Sequence, residues 1–560
     1  MKRLLPLLLT LAMLLSLFVG CGGEAVSADS TATPDVAESV AAPASAPEEA
    51  PAEAADSVPV SEVEAAPEAK FDIYGPFSEE EIVLSYWKLW PPFLEGYDPM
   101  DASLFATLYE ATNVRVDVST IGTDAASEQF NLMVASGDYL DIIENGVSNY
   151  SGGGVKGIED EVFVNLRPYM ETYAPDYWAV LQTDEIAQKN LIYADGSMAS
   201  MCSMFDADPV TQSGLWIRTD WLKEQNLEKP STLEDLENVL TVFRDEYGCT
   251  DAFACRENCN IPVGDVFGAY EWSVTPEGQV VYGYTDLRDE YKAYCNTSNE
   301  WYEKGFFSSS FATANDTNMP QVNMLVTGTS GLLSSDILLI SELAVLDNTV
   351  EVEAVAPITK NADDKLPEAW GSRMNGSNQA VISTNCQYIE EAVAYINYAF
   401  TDACFMAANW GIEGDTYTME NGEPVFTDKM LNNPNLAASF TPLAFISPGF
   451  PFLKSYEMAL STYNHPAQQG CYEIFASKVD ETLPKTGFPT DFISFTTEES
   501  EIIAQYQTDI ETYVLECRAK FITGDMDVET EYDAFADKLI EMGSEEIKAV
   551  YQAAYDRFLG

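Results

Sequence analysis

The chain has 560 residues but a single histidine, His465, so a Ser-His or Cys-His nucleophile has only one candidate base. That histidine lies in a polar loop beside Pro466, a setting that predicts a surface residue. The sequence contains no Gly-x-x-x-x-Gly-Lys-Ser/Thr, His-Glu-x-x-His or Gly-x-Ser-x-Gly pattern. Acidic residues are abundant enough for the carboxylate pair of a glycosidase, but no pair is distinguished by its spacing.

Tryptophan rings and planar polar groups are the side chains with which this sequence could hold a sugar. Pyranose C–H surfaces stack on aromatic rings, and sugar hydroxyls pair with amide, guanidinium and carboxylate groups. Four tryptophans at predicted strand ends or loops meet this description, and three polar residues accompany them. For each tryptophan, the alternative is a half-buried packing residue. The predicted ligand-binding residues are Trp90, Asn145, Trp272, Trp370, Arg373, Trp410 and Glu413.

The acidic run from Asp525 to Glu529 alternates like the start of a calcium loop, but it lacks the glycine that an EF-hand requires. We interpret it as the solvated approach to a helix. The residues alone therefore predict no cofactor and no metal site.

The elements that position these residues alternate between strands and helices. The β-prone run at residues 82–87 must end near Pro91-Pro92, because proline cannot continue a sheet ladder. A helix at residues 100–112, a strand at 114–118 and a helix at 127–136 follow. Such an alternation predicts a sheet covered by helices, with any ligand at the strand ends.

Trp87 and Trp90 lie an odd number of positions apart on the first strand, so a regular strand directs them to opposite faces. Trp90 is the last residue before the prolines, where the strand can turn outward. We expect Trp90 at the cleft and Trp87 in the packing beneath it.

The stretch from Gly214 to Phe243 predicts a strand, a short helix, a loop and a capped helix. Residues 214–218 are apolar and β-prone, and residues 220–225 form the short helix. Pro230 favours an extended residue before it, and residues 231–234 have the form of a capping box. The residues that recur at helical spacing, and so give the second helix one apolar face, are Leu233, Leu236, Leu240 and Phe243.

With its Arg-x-Asp-Trp-Leu sequence at residues 218–222 and its capped helix, this stretch resembles the extracellular solute-binding proteins of ABC importers. Residues 135–142 are similar to the Ala-Ser-Gly-Asp-x-Pro-Asp-Ile motif of that family, with Leu140 where proline is common. Residues 551–558 resemble its terminal helix. The matches occur in order from Phe71 to Phe558.

The resemblance implies an α/β, two-lobed periplasmic-binding-protein fold of type II, with mixed sheets flanked by helices and a hinge between the lobes. The predicted bounds are residues 71–205 plus 356–426 for lobe I, and 206–355 plus 427–560 for lobe II. The length of the chain favours two lobes independently, because single cores rarely grow so large. Some members of the family bind calcium, so the resemblance allows a structural calcium ion.

The beginning of the chain has the pattern of a targeting segment. Lys2-Arg3 precedes an apolar run at residues 4–19 that is short for a membrane span. The sequence ending at Cys21 resembles a bacterial lipobox, which implies a signal peptide at residues 1–20 and a lipidated Cys21. The alternative is a plain secretory signal or an uncleaved anchor. Residues 21–70 are rich in Ala, Pro and Glu, which predicts a disordered acidic tether.

Charge and cysteine content limit the partners and the redox chemistry. With 28 basic and 91 acidic residues, the formal net charge is −63, which disfavours nucleic acid and anionic lipid headgroups. Of 10 cysteines, lipidation of Cys21 would leave an odd number, and so at least one free thiol. Cys249, Cys255 and Cys259 could form one disulfide or remain reduced, and no fourth ligand for zinc accompanies them.

Together these features predict a binding protein rather than an enzyme. By resemblance, it captures an oligosaccharide between its lobes and delivers it to the membrane subunits of an ABC permease. We expect a monomer on the extracellular face of a bacterial membrane, held there only by its lipid. The alternatives are a surface glycan hydrolase and a peptide-binding importer component.

Overall fold

The computed structural model describes residues 68–208, 213–254, 263–308, 311, 318–347, 349–485 and 487–560. The predicted signal peptide, Cys21 and nearly all of the predicted tether lie outside the described residues, as do Cys255 and Cys259.

The strands are numbered here in chain order. They are β1 Ile82–Trp90, β2 Val114–Gly122, β3 Ile142–Glu144, β4 Ser200–Phe205, β5 Ser213–Arg218, β6 Phe253–Ala254, β7 Trp272–Val274, β8 Val280–Tyr282, β9 Leu332–Asp336, β10 Val352–Val355, β11 Leu366–Pro367, β12 Met374–Ile382, β13 Tyr417–Glu420, β14 Glu423–Phe426, β15 Leu453–Lys454 and β16 Val479–Asp480.

The α-helices are numbered in the same way. They are α1 Ser103–Thr112, α2 Ala126–Ser136, α3 Gly146–Asn149, α4 Gly153–Glu159, α5 Met170–Tyr173, α6 Pro175–Leu181, α7 Glu185–Leu191, α8 Thr219–Gln225, α9 Leu233–Tyr247, α10 Gly264–Phe267, α11 Gly283–Asp286, α12 Arg288–Glu303, α13 Asn318–Thr327, α14 Ile337–Ile340, α15 Glu342–Leu346, α16 Ile389–Tyr398, α17 Asp402–Asn409, α18 Asp428–Leu431, α19 Thr441–Phe445, α20 Tyr456–Ser461, α21 Cys471–Phe475, α22 Thr497–Thr523, α23 Val528–Glu541 and α24 Ser544–Leu559.

The first sheet has the strand order β15-β4-β12-β3-β1-β2. β12 runs antiparallel to both of its neighbours, while the other adjacent pairs are parallel. The carboxyl ends of β1, β2, β3, β4 and β15 therefore meet at one edge of the sheet, together with the amino end of β12. The crossover from β1 to β2 contains α1, as parallel neighbours require.

The second sheet has the order β10-β5-β9-β6, with β5 antiparallel to β10 and β9. Its strands share a hydrophobic core with α9, α12 and the three C-terminal helices α22, α23 and α24. The first sheet has a separate core with α1, α6 and α16. The molecule therefore has two mixed sheets, each flanked by its own helices.

The chain passes repeatedly between the regions of the two sheets. It leaves the first sheet after β4, returns to it through β11 into β12, and pairs with it again at β15. The predicted lobe bounds assign residues 427–560 to lobe II, whereas β15 pairs with β4 in the first sheet. The bounds themselves stay a prediction.

The stretch from Gly214 to Phe243 folds in the predicted order, as β5, α8 and α9. Its capping box is shifted by one residue from the prediction. Thr232, rather than Ser231, caps α9, because its hydroxyl accepts from Asp235 N at 3.3 Å. In return, the Asp235 carboxylate accepts from Thr232 N at 3.0 Å. Pro230 restricts the backbone just before residue 231, but the hydroxyl of either Ser231 or Thr232 could cap the helix. In the structure, Thr232 is the capping residue.

β1 ends at Trp90, as predicted from the two prolines. Trp87 is buried and packs edge-on against Phe130 with the ring centroids 6.0 Å apart, which confirms its packing role. Trp90 is half-buried, and its Nε1 donates to Leu94 O at 3.1 Å.

Between these two tryptophans, Lys88 forms a buried ion pair with Glu144 at the end of β3. The Lys88 ammonium lies 2.6 and 2.7 Å from the two carboxylate oxygens, and both side chains are about 5% exposed. Glu144 also accepts from Leu89 N at 2.6 Å. Burial lowers the pKa of Lys88 and raises the pKa of Glu144, and the partner charge opposes each shift. The pair therefore joins the ends of two strands in a nearly dry environment.

We predict that Glu144→Gln lowers the free energy of unfolding by about 3–5 kcal/mol, because it leaves the Lys88 charge buried without its counterion. The amide keeps the size of the carboxylate and an oxygen that can accept from Leu89 N. Urea unfolding of both proteins would measure the difference.

The control is the double variant Lys88→Met, Glu144→Gln, which removes both charges. Since the uncompensated charge is then absent, the double variant should be more stable than Glu144→Gln alone. A double variant that is equally or less stable would contradict this account of the pair.

Candidate functional site

A cavity of about 480 Å³ lies between elements of the first sheet and the C-terminal helices that belong to the core of the second. This volume is in the range of small-molecule sites. The lining residues are Val147, Gly152, Gly153, Gly154, Val155, Asn190, Leu191, Tyr193, Gln379, Ile493, Ser494, Phe495, Ser500, Ile503, Ala504, Gln507 and Tyr551.

The first wall begins at the edge where β3 ends. Asn145 adopts a left-handed backbone conformation with φ of 51°, and the chain turns there into α3, whose Val147 lines the cavity. The Asn145 N–H donates to Gln379 O at 2.7 Å, so the turn is attached to β12. The pairing of β12 with β4 shifts register just before Gln379, and such an irregularity redirects side chains.

A run of three glycines forms the next part of this wall. Gly152 and Gly153 have φ of 89° and 70°, a conformation that favours glycine. At Gly154 the constraint is space, because a Cβ there would lie 1.9 Å from the Tyr193 hydroxyl oxygen. The run therefore lets α4 pack directly against Tyr193. The three consecutive glycines are visible in the sequence, but the predicted site did not include them.

The second wall comes from residues 493–495, from α22 and from Tyr551 of α24. Thr496 caps this helix, accepting from Glu499 N at 3.2 Å while Thr496 N donates to the Glu499 carboxylate at 2.8 Å. The helix presents one face to the cavity, with residues at the i, i+3, i+4 and i+7 spacing of a single helical surface. These residues are Ser500, Ile503, Ala504 and Gln507.

Two aromatic rings stand together in the second wall. The rings of Phe495 and Tyr551 lie 5.3 Å apart at an interplanar angle of 33°. Burial, reinforced by the negative charges of Glu271 and Glu511, raises the pKa of Tyr551 to about 12. Tyr551 is therefore a neutral phenol at physiological pH. Burial also raises the pKa of Tyr193 in the opposite wall.

The walls contact each other at the rim of the cavity. The Thr497 hydroxyl donates to Glu159 Oε1 at 2.8 Å, from α22 to α4. Nearby, the Ser494 hydroxyl donates to Lys189 O at 3.4 Å, and the Lys189 ammonium lies 5.2 Å from the centre of the Phe558 ring. These contacts join the two regions across the cavity.

Two smaller pockets adjoin the main one. A pocket of about 110 Å³ shares Ser494 with it, and one of about 20 Å³ shares Gln507 and Tyr551. Trp272 lines the second of these.

Of the four predicted tryptophans, Trp272 lies nearest to the cavity, because its ring is 4.2 Å from that of Tyr551. Trp370 donates from Nε1 to Gly487 O at 2.7 Å and meets Phe558 edge-on. Trp410 is 2% exposed and packs against Phe426, so its face is covered. Trp90 lies against a third core cluster. None of the four lines the main cavity.

The predicted polar residues are also dispersed. Asn145 does not line the cavity but is bonded through its N–H to the lining residue Gln379, and its side-chain oxygen is buried with no hydrogen-bond partner among the described residues. Arg373 braces the strand ends, donating to Phe205 O at 2.8 Å and to the Thr183 hydroxyl at 2.9 Å. Glu413 is exposed at the start of the β13–β14 hairpin. The role of all seven residues in ligand binding stays a prediction.

The predicted surface position of His465 is wrong. It is 6% exposed and caps a 3₁₀ turn, accepting from Ala467 N through Nδ1 at 3.2 Å. Burial lowers the pKa of this histidine. The polar neighbours that suggested exposure instead supply the capping bonds, since Gln468 accepts from His465 N at 3.1 Å.

Two aspartates of the acidic run at residues 525–529 form hydrogen bonds with neighbouring residues of the chain. Asp527 caps α23 by accepting from Thr530 N at 2.8 Å, and Asp525 accepts from Thr523 at 2.9 Å. The described residues contain no group of three or more His, Cys, Asp or Glu side chains arranged to hold a metal ion. The structural calcium that the resemblance allowed stays a prediction, because calcium also binds backbone and amide oxygens. The described cysteines, Cys249 among them, are free thiols and buried.

As for membrane insertion, no helix in the described part of the chain combines the length and the apolar character that a bilayer span requires.

No family model matches the chain. Three curated proteins are similar to it over most of their length. The lipoprotein LipO of Bacillus subtilis is 23% identical, over 79% of this chain and 86% of the relative. The polygalacturonan/rhamnogalacturonan-binding protein YtcQ of the same organism is 21% identical, over 83% and 90%. The fructooligosaccharide ABC transporter substrate-binding protein FusA of Streptococcus pneumoniae is 23% identical, over 83% and 88%.

Solved structures confirm the predicted fold class. An alginate-binding protein, solved without calcium ion, superimposes with a TM-score of 0.68 at 20% identity, covering 88% of this chain and all of its own. The fold is therefore the two-lobed fold of solute-binding proteins. In fold and in sequence, the chain is similar to substrate-binding proteins of ABC transporters, as the resemblance predicted. Two of the curated relatives are named as binding proteins, which agrees with the prediction of a non-enzyme.

Proposed function

We propose that this protein is the extracellular substrate-binding component of an ABC importer, and that it captures an oligosaccharide in the cavity between its two walls. The observation that carries the proposal is the make-up of that cavity. Aromatic faces and neutral hydrogen-bonding groups converge in about 480 Å³, on a fold shared with ABC substrate-binding proteins.

Each part of the cavity suits a carbohydrate. The face of the half-buried Phe495 can stack on the C–H surface of a sugar ring, and Tyr551, whose own ring packs against Phe488 and Trp272, supports Phe495 from behind. The amides of Gln379 and Gln507 and the hydroxyl of Ser500 can both donate to and accept from sugar hydroxyls. A bound sugar would thus have its apolar and polar surfaces matched at the same time.

The rim contacts suit a protein that reports its bound state. The hydrogen bond between Thr497 and Glu159 that joins the walls is exposed, and such a bond contributes little net stability. A ligand that contacts both walls would therefore add most of the free energy that favours closure. The permease would then recognise the closed form, which holds both lobes in one fixed relation.

The proposed location is the extracellular face of a bacterial membrane. Cys21 follows an apolar signal, and one relative is named a lipoprotein. The acidic residues 21–70 would keep the binding unit away from the bilayer, because charged, proline-rich chains are extended. The proposed partners are the ligand and the membrane subunits of the permease. With a net charge of −63, nucleic acid is not among the proposed partners.

The two alternative functions fit the cavity less well. Hydrolysis of a glycoside uses two flanking carboxyl groups, and no Asp or Glu is among the described residues that line the main cavity. A peptide would bring charged termini, for which this lining offers no counter-charge.

The direct test is a thermal-shift screen of the mature protein against a glycan library. A ligand that binds only the native state stabilises it and so raises the melting temperature. At a free-ligand concentration of one hundred times Kd, the free energy of unfolding rises by about 2.7 kcal/mol. We expect at least one oligosaccharide to do so, and to be recovered unchanged after long incubation. Shortened products formed in proportion to protein concentration would show that the chain is a hydrolase.

We predict that Phe495→Ala weakens binding of that oligosaccharide by about 1–3 kcal/mol, because it removes an aromatic face from the cavity. Calorimetry would measure the loss. The matched control is Phe492→Ala, which removes the same ring from the same loop at a position that packs in the second core and does not line the cavity. Phe492→Ala should lower the melting temperature while affinity is kept. Unchanged binding by Phe495→Ala would contradict the assignment of this wall.

We also predict that Cys21→Ser releases the protein from the membrane fraction, because the serine cannot carry the lipid that anchors the tether. Fractionation followed by immunoblotting would detect the shift. A processed Cys21→Ser protein that remains membrane-bound would show that the anchor lies elsewhere.

A further inference from the structure

The described residues that line the main cavity include no charged side chain. Among the described residues that form it, the polar side chains are amides and hydroxyls, and the remainder are apolar, aromatic or glycine. This is unusual in a chain with 91 acidic and 28 basic residues, where a random patch of surface would contain several charges.

Three cations that adjoin lining residues in sequence or through a hydrogen bond are already paired with carboxylates. Lys156 follows Val155, and its ammonium lies 2.6 Å from Asp160 Oδ1. Lys189 precedes Asn190 and pairs with Glu185 at 2.8 Å. Arg557 donates to both carboxylate oxygens of Glu499, at 2.6 and 3.0 Å, and to Ser494 O. Recruiting any of them to a ligand would break an existing ion pair.

A carboxylate in this cavity would therefore lose its water and gain no counterion. Burial of an unpaired charge is among the most costly events in binding, whereas a hydroxyl is satisfied by the amides and hydroxyls present. The high negative charge of the whole molecule also repels an approaching anionic ligand.

From this lining we infer that the cavity selects uncharged oligosaccharides and rejects those built from uronic acids. The inference rests on the proposed function and names the substrate class of the same site. It separates this chain from two proteins that it resembles, one named for binding polygalacturonan and rhamnogalacturonan and the other for binding alginate. The shared fold is thus combined with a lining suited to neutral ligands.

The test is calorimetry of the mature full-length protein with two sets of trisaccharides. The neutral set contains kestose, maltotriose, mannotriose and xylotriose, and the acidic set contains trigalacturonate and trimannuronate. Titrations at about 0.05 M and about 0.5 M salt separate the two causes of rejection, because the higher salt screens the charge of the surface but has little effect inside the cavity.

We expect a neutral trisaccharide to bind, and both uronates to bind at least about tenfold more weakly at both salt concentrations. A control uses the tightest neutral ligand oxidised at its primary hydroxyls, which should lose at least about tenfold in affinity, while the corresponding amide loses less.

The outcomes that contradict the two proposals are different. A uronate that binds as tightly as the best neutral trisaccharide at high salt would overturn the inference and leave the proposed function intact. Binding by no carbohydrate of either set would contradict the proposed function, and the inference with it.

Discussion

The buried pair of Lys88 and Glu144 is the interaction on which the first wall of the cavity depends. It holds the ends of β1 and β3 together where both strands stop, and the Leu89 N–H shares the same carboxylate. The next residue, Asn145, turns the chain into α3 and binds to β12. If the two strand ends separated, the turn, α3 and the glycine run after it would lose their common support. A buried ion pair adds little net stability but is costly to break, so it specifies one arrangement of these ends.

Much of the fold could be predicted because its signals are local. Two prolines end β1 at Trp90, and the apolar spacing from Leu236 to Phe243 gives α9 its buried face. Asn-Gly pairs favour tight hairpin turns, and Asn421-Gly422, where both residues have positive φ, joins β13 to β14. Where two neighbouring residues could serve, as with the hydroxyls of Ser231 and Thr232, local chemistry could not choose between them. In the structure, the Ser231 hydroxyl instead accepts from the Lys478 ammonium at 3.1 Å, a contact with a distant part of the chain.

The candidate site was harder to predict because its walls come from distant parts of the chain. Gln379 lies on β12 of the first sheet and Tyr551 on α24 in the second core, and both line the same cavity. A position at a strand end does not determine whether a ring is accessible, since a neighbour such as Phe426 can cover it, as it does for Trp410. Two signals could have helped. They are the run from Gly152 to Gly154 and the mixed polar and apolar face of α22 from Ser500 to Gln507.

The central claim is that the ligand lies between the glycine-lined wall and the Phe495–Tyr551 wall. A crystal structure of the protein with a bound neutral oligosaccharide would test it most directly. The account predicts a sugar ring in van der Waals contact with Phe495 or Tyr551, and a hydrogen bond from the ligand to the Gln379 amide. Electron density for the sugar at Trp90 or on the β13–β14 hairpin, with the cavity unoccupied, would contradict it.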